Sequence, residues 1–213
     1  MKLEDFLAYV QNDEIPPEPP DGLTSGGWEF EGFLNDADTW MNYLSVRREC
    51  NERGMWAIVD KIWTRELAEW IGKRRVLEIM AGRGWLAKAL AAYGVRIIAT
   101  DSGEWDSQQQ RGPALFNVLP LEASEAIRTF SNEAEVLLVS WPPYGDEAIL
   151  RAAAAWGSTR PMIYIGENAG GCNAPKSFFN HFEQLQVLDL PLKSWYGIHD
   201  QVLVGYYRIT PSS

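Results

Sequence analysis

Arg75–Leu90, RVLEIMAGRGWLAKAL, is the unit around which this chain is organised. Val76, Leu77 and Ile79 are strand residues, with Glu78 near the end of the run. Ala81-Gly82-Arg83-Gly84 is a turn, and Trp85–Leu90 opens a helix of good helix formers. Two glycines between a buried strand and a helix let a ligand approach the backbone at the positive end of the helix dipole. Such units are common, so the turn alone does not name a ligand.

Downstream, strand and helix patterns alternate. The helix after the turn runs to about Tyr93 and stops at Gly94. Val95–Thr100 is a second buried strand closed by Asp101, and Ala114–Leu119 is a weak third. Helices are expected over Glu122–Phe130, Glu147–Trp156 and Pro175–Leu185, and strands over Glu135–Ser140 and Pro161–Ile165. Gln186–Leu192 and Gln201–Ile209 complete the set, joined by SWYGIHD. Such alternation predicts a parallel sheet with helices on both faces. The last two strands must be antiparallel, because their connection is too short for a crossover helix.

Upstream, residues 3–10 form a short helix, and Ile15–Gly22 (IPPEPPDG) breaks regular structure. Thr24–Gly32 reads as a loop anchored by Trp28 and Phe30. Asp36 or Asp38 caps a helix through Trp40, Tyr43, Leu44 and Arg47, and Gly54 ends it. Trp56, Val59, Trp63, Leu67 and Trp70 recur at spacings of three and four, which predicts one helical stripe packed on the sheet, with Gly72 past its end. Residues 1–54 are therefore an N-terminal helical extension or cap, and 55–213 the main domain.

The chain has 213 residues, 46% of them hydrophobic, and a net charge of −10, which describes a globular protein without the overall surplus of cations that a duplex-binding surface needs. Cys50 and Cys172 make no disulfide framework, and MKLEDFLAYVQNDE has no apolar core of a signal peptide, so a cytoplasmic setting is expected. No stretch has the apolar length of a membrane span. Ten tryptophans, several in expected loops, point to a ligand cleft.

Two nucleotide readings compete at the turn. Gly82-x-Gly84-x-x-Ala87, with Asp101 19 residues after Gly82, fits a dinucleotide site, so an NAD-dependent oxidoreductase has to be weighed. Against it, the glycines sit late, an acid stands four residues before Gly82, and the sheet ends in a reversed strand. Glu78-x-x-x-Gly82-x-Gly84, Asp101 and the reversed strand together resemble class I S-adenosylmethionine-dependent methyltransferases over Met55–Ile209. The resemblance implies a Rossmann-like seven-stranded sheet of order 3-2-1-4-5-7-6 with strand 7 antiparallel. Met80 departs from it, standing where many members have glycine.

Carried onto this chain, the resemblance gives Glu78 and the backbone of Met80, Ala81 and Gly82 to the methionine end of the cofactor. Gly82 and Gly84 permit its close approach. Asp101 accepts from the ribose hydroxyls, as an acid at that strand end would. Ser102 and Trp105 flank the adenine. Glu122, with Ala123, holds its amino group, unless Glu122 only favours its helix dipole. Ser140 joins this set at the end of the fourth strand.

Ligands in open parallel sheets sit at the carboxyl ends of the strands. Ser140-Trp141-Pro142-Pro143-Tyr144 is similar to the (Asp/Asn/Ser)-Pro-Pro-(Tyr/Phe/Trp) turn of amino-group methyltransferases, in which a polar group accepts from the target amine and the aromatic ring stacks on a planar substrate. Trp141 stands directly before the prolines and cannot accept a hydrogen bond as Asn or Asp does. Trp141 and Tyr144 are candidate reacting-side residues. His199, Glu167 and Asp200 are candidate bases, with His199 preferred because an imidazole titrates near neutrality. His181 falls in an expected amphipathic helix, Gly170-Gly171 would let its loop bend over a ligand, and Cys172 lacks an activating partner. No metal-ligand set is present. Trp40, Tyr43, Arg47 and Arg48 are placed to reach the cleft, though most should pack a structural helix.

The expected activity is S-adenosylmethionine-dependent methyl transfer to a small molecule or an exposed amino group, with nucleic acid disfavoured by charge. Three alternatives remain. A nucleic-acid or protein amino-group methyltransferase would show a basic stripe beside Tyr144. A non-catalytic scaffold would have its cleft blocked by Trp85, Trp141 or the N-terminal segment. An oxidoreductase would bind NAD.

Overall fold

A computed structural model describes residues 1–23, 37–104, 112–169, 171 and 173–208. Trp28, Phe30, Asp36, Trp105, Gly170 and Cys172 lie outside the described residues. The helices are α1 (Leu3–Gln11), α2 (Ala37–Glu52), α3 (Lys61–Ile71), α4 (Trp85–Ala92), α5 (Ala123–Phe130), α6 (Ala148–Trp156) and α7 (Lys176–Phe179). The strands are β1 (Arg75–Ile79), β2 (Arg96–Asp101), β3 (Val118–Pro120), β4 (Val136–Ser140), β5 (Met162–Gly166), β6 (Phe182–Leu188) and β7 (Gln201–Tyr207).

The seven strands form one sheet of order β3-β2-β1-β4-β5-β7-β6. Neighbours from β3 to β5 run parallel, and β7 is antiparallel to both β5 and β6. This is the expected topology. It brings the carboxyl ends of β1, β2 and β4 to one edge, where strand order reverses between β1 and β4 and opens a crevice.

Alternate residues of the central strands point to opposite faces. Val76, Val136, Leu138, Ile163 and Ile165 join a core that includes α3, α4 and the N-terminal helices. Leu77, Leu137, Val139, Met162 and Tyr164 join a second core with α5, α6 and α7. Phe6, Val10, Tyr43, Val46 and Cys50 share the first core with Trp63 and Trp195. Burial pushes the Cys50 thiol up to about 12, which makes it inert.

Local chemistry corrects several expected boundaries. The stripe from Trp56 to Trp70 is not one helix, because α3 starts only at Lys61. Asp60 is extended, and its Oδ1 accepts the Ile62 and Trp63 amides at 2.7 and 3.2 Å, a cap that typically contributes about 1 kcal/mol. Trp63 and Leu67 are buried by α3, while Trp56 is freed to face elsewhere.

The helix expected over Pro175–Leu185 is only α7, four residues long. Strand β6 begins at Phe182 rather than Gln186 and pairs with β7. The four-residue spacing of Phe178 and Phe182 reads as helical, yet their rings stack 5.2 Å apart across the tight turn between α7 and β6. His181 therefore sits in that turn, with Nδ1 3.1 Å from the Arg208 carbonyl. β3 is also shorter than expected. No helix among the described residues is long and apolar enough to cross a membrane.

Candidate functional site

One cavity of about 520 Å³ opens at the carboxyl edge of β1, β2 and β4. Its floor comes from the glycine turn. Gly82 takes a φ of 57°, and its amide donates to Asp101 Oδ2 at 2.7 Å. Asp101 Oδ1 accepts from the Gly103 amide at 2.8 Å. One carboxylate thus pins the turn after β1 to the turn after β2. Asp101 is itself the last residue of β2 rather than the residue beyond it.

Glu78 is buried in the same wall, 2% exposed, and its Oε2 has no hydrogen-bond partner. Burial, and then the nearby Asp101 charge, raise its carboxyl from 4.5 to about 8, while the Ala87 amide pulls the other way. Such an acid is matched to a ligand that brings a donor or a positive charge. Met80 has a φ of 55° and Trp141 a φ of 50°, left-handed values that cost about 1 kcal/mol or more each in non-glycine residues. Met80 keeps the backbone that glycine would take at this position, and both strained residues line the cavity.

Ser102, Glu122, Ala123 and Ser140 line the cavity with Glu78, Met80, Ala81, Gly82 and Asp101. Glu122 also caps α5, its Oε2 accepting the Ser124 and Glu125 amides at 2.8 and 3.3 Å. Gly84 is a correction. It does not line the cavity; a Cβ there would stand 2.9 Å from both Phe116 Cβ and Val118 Cγ2. Its φ of 84° and that close approach, not a ligand, require glycine. Trp105 lies outside the described residues.

The mouth is made by Trp141, Pro142, Pro143 and Tyr144 after β4, with Tyr144 78% exposed. Trp141 stacks on Trp56 at 6.2 Å and 15°, too close to admit a ring between them. The Trp141 indole donates to Asp200 Oδ1 at 2.7 Å. Burial, and also the charge of Glu167, push Asp200 up to about 7.

The candidate bases stand behind that wall. His199 and Glu167 do not line the cavity. The His199 amide donates to Glu167 Oε1 at 3.2 Å, and the Glu167 amide donates to Asn173 Oδ1 at 2.7 Å. These residues brace the loops after β5 and before β7; the cavity-facing role expected of them is corrected. Met55, Trp56, Glu104, Asp146 and Arg151 line the cavity and were not anticipated as site residues. Arg151 carried a signal, as the one charged residue of AILRAAAAW. Trp56 did not, because its place in a helical stripe explained it. No metal-ligating group of three exists among the described residues.

The turn is tied to the N-terminal region by Arg83, 3% exposed. Its Nη2 donates to both Asp13 carboxylate oxygens at 3.0 Å, Nε to the Pro113 carbonyl at 2.8 Å, and Nη1 to the Arg53 carbonyl at 3.1 Å. The Trp85 indole also donates to the Arg53 carbonyl, at 2.8 Å.

No protein-family model and no curated protein matches this chain. Solved structures do. A point mutant of MtNAS in complex with S-adenosylmethionine superposes with a TM-score of 0.51 at 13% identity, over 98% of this chain and 93% of that one. TehB from Haemophilus influenzae matches with a TM-score of 0.41 at 9% identity, over 68% of this chain, which spans 61% of TehB. The N-methyltransferase NodS from Bradyrhizobium japonicum WM9 matches with a TM-score of 0.44 at 12% identity, over 68% of this chain and 93% of that one. Sheet order, the reversed last strand and the likeness to MtNAS along nearly the whole of both chains give this protein a Rossmann-like fold, a seven-stranded mostly parallel sheet in common with that S-adenosylmethionine-bound structure.

Proposed function

We propose that the cavity binds S-adenosylmethionine and that the protein transfers its methyl group to a small molecule or an exposed amino group. The observation that carries this reading is the joining of Glu78, the Gly82 turn and Asp101 to the Trp141–Tyr144 mouth around one cavity. Its volume falls in the range of small-molecule sites, about 300–1,000 Å³. The unpartnered Glu78 oxygen suits the ammonium end of the cofactor.

Bound there, the cofactor supplies a methyl group already activated by its sulfonium. This chain's residues supply alignment and exclusion of water. Asp101 holds the two turns in register and stands in the cavity lining, where ribose hydroxyls would meet its carboxylate. Trp141, braced by Asp200, walls one side, and Pro142, Pro143 and Tyr144 position the acceptor at the mouth. An amine acceptor attacks with its neutral lone pair and gives up its proton after transfer, so none of the residues behind Trp141 has to act as base. Arg83 fastens the glycine turn to Asp13 of the N-terminal region.

Other readings have less support. A dinucleotide site is disfavoured by the acid four residues before Gly82 and by the reversed last strand. A blocked scaffold is disfavoured because Trp85 and Trp141 line the cavity and leave about 520 Å³ unfilled. A nucleic-acid substrate is disfavoured by five lining carboxylates, Glu78, Asp101, Glu104, Glu122 and Asp146, against Arg151 alone among the described residues. Calorimetric titration with S-adenosylhomocysteine and NAD side by side tests the reading. S-adenosylhomocysteine should bind at least tenfold tighter; tighter binding of NAD, or no binding of either, would overturn it.

A further inference from the structure

The large cavity has a neighbour. Leu44, Arg47, Arg48 and Asn51 of α2, with Glu52 and Trp56, line an open hollow of about 240 Å³. Trp56, 37% exposed, lines both concavities, so its ring is their shared wall. The two guanidiniums of the hollow differ. Arg48 Nε lies 2.7 Å from Glu52 Oε1, and its charge is already answered. Arg47 is half-buried, and no carboxylate of the described residues lies within ion-pair distance of it. Arg47's hollow shares Trp56 with the large cavity, beside the Trp56–Trp141 stack.

A half-buried guanidinium without a close partner is notable in a chain of net charge −10. Its planar fork pairs with carboxylate or phosphate through two parallel hydrogen bonds. The large cavity offers such a group the opposite welcome, with five carboxylates against one arginine. A molecule carrying both an amine and an acid would therefore enter in one orientation only, amine inward and acid outward. Trp56, 37% exposed and in both linings, gives an aromatic body an apolar surface between the two ends.

We propose that the hollow binds the oxyanion end, a carboxylate or a phosphate, of an aromatic substrate whose amine lies in the large cavity, with Arg47 as its anchor. The position of the amine rests on the methyl-transfer reading; the anion site does not. Arg47 thereby becomes a determinant of which small molecules the protein accepts, since neutral analogues lose the pairing and gain nothing from the acidic interior.

The test titrates benzoate, phenyl phosphate and benzamide into the protein, with and without saturating S-adenosylhomocysteine. Nitrogen-15 NMR follows the Arg47 Nε–H and Trp56 indole signals. At least one of the two anions should shift both signals saturably in the millimolar range, with benzamide at least tenfold weaker. R47Q should abolish that preference, and R47K should keep part of it. Binding of phenyl phosphate alone assigns the hollow to phosphate, and of benzoate alone to carboxylate. Equal binding of benzoate and benzamide, silence of both anions, or a preference that survives R47Q would overturn the proposal. Anion binding that depends on Arg47 in a protein that ignores S-adenosylhomocysteine would uphold the hollow and remove the methyl-transfer reading. Cofactor binding without any charge preference would do the reverse.

Discussion

Binding of S-adenosylhomocysteine at pH 7 should expel a proton from Glu78. Burial and the Asp101 charge raise this carboxyl to about 8. At pH 7 a group with that value is protonated in about nine-tenths of molecules. An ammonium set against it favours the charged form and draws the value back to the ordinary carboxyl range, near 4.5. About 0.9 proton should then leave for each ligand bound, and affinity should rise nearly tenfold between pH 6 and 7. Calorimetry in phosphate and in Tris, buffers of very different ionisation enthalpy, measures this directly. The observed enthalpy plotted against the buffer enthalpy has the proton number as its slope. Glu78→Gln should bring the slope near zero and weaken binding. A wild-type slope of zero, or an unchanged slope in Glu78→Gln, would refute the assignment of Glu78 to a cationic ligand group.

Three further outcomes follow from the same geometry. Glu78, Asp200 and Asp60 have folded pKa values raised to about 8, 7 and 6, all chiefly by burial. A raised value stabilises the fold below the ordinary carboxyl range and loses that contribution as pH climbs through the folded value. Stability without ligand should therefore fall between pH 5 and 8, by about 2 kcal/mol from Glu78 alone between pH 6 and 8. A melting temperature that is flat or rising over that span would contradict this. Gly84→Ala should destabilise by about 1–3 kcal/mol in urea denaturation, because the new Cβ meets Phe116 and Val118 at a φ of 84°. A neutral substitution would show that the β3 segment yields freely. Asp101→Ala should weaken S-adenosylhomocysteine binding by about 1–3 kcal/mol and also lower the melting temperature, since the Gly82 and Gly103 amides lose their acceptor. Unchanged calorimetric affinity would remove Asp101 from the site.

Much of the fold was legible because it rests on short-range signals. The buried runs of β1, β2, β4 and β5 are continuous apolar stretches bounded by glycine and acid, and such runs specify parallel strands. The glycine turn, Glu78, Asp101 and the Pro-Pro-Tyr mouth were likewise readable, since backbone freedom and strand-end position are local properties. The Phe178–Phe182 spacing misled because helical period and a tight turn into an edge strand place two rings on the same side. Only pairing with β7 distinguishes them.

By itself, the sequence determined the order of elements, the direction of the last strand and the chemical character of the turn after β1. Those follow from hydrophobic period, loop length and glycine. Tertiary structure alone decided which side chains face the cavity. His199 and Glu167 stand near it in the chain's logic, yet lie behind Trp141, whose indole is held by Asp200 59 residues away. Gly84 looked like a ligand residue until Phe116 and Val118 were found against it. Trp56 left its helical stripe because Asp60 capped α3 after it. Each of these outcomes depends on which distant segment fills the space beside a residue, and packing of that kind has no period for a sequence to display.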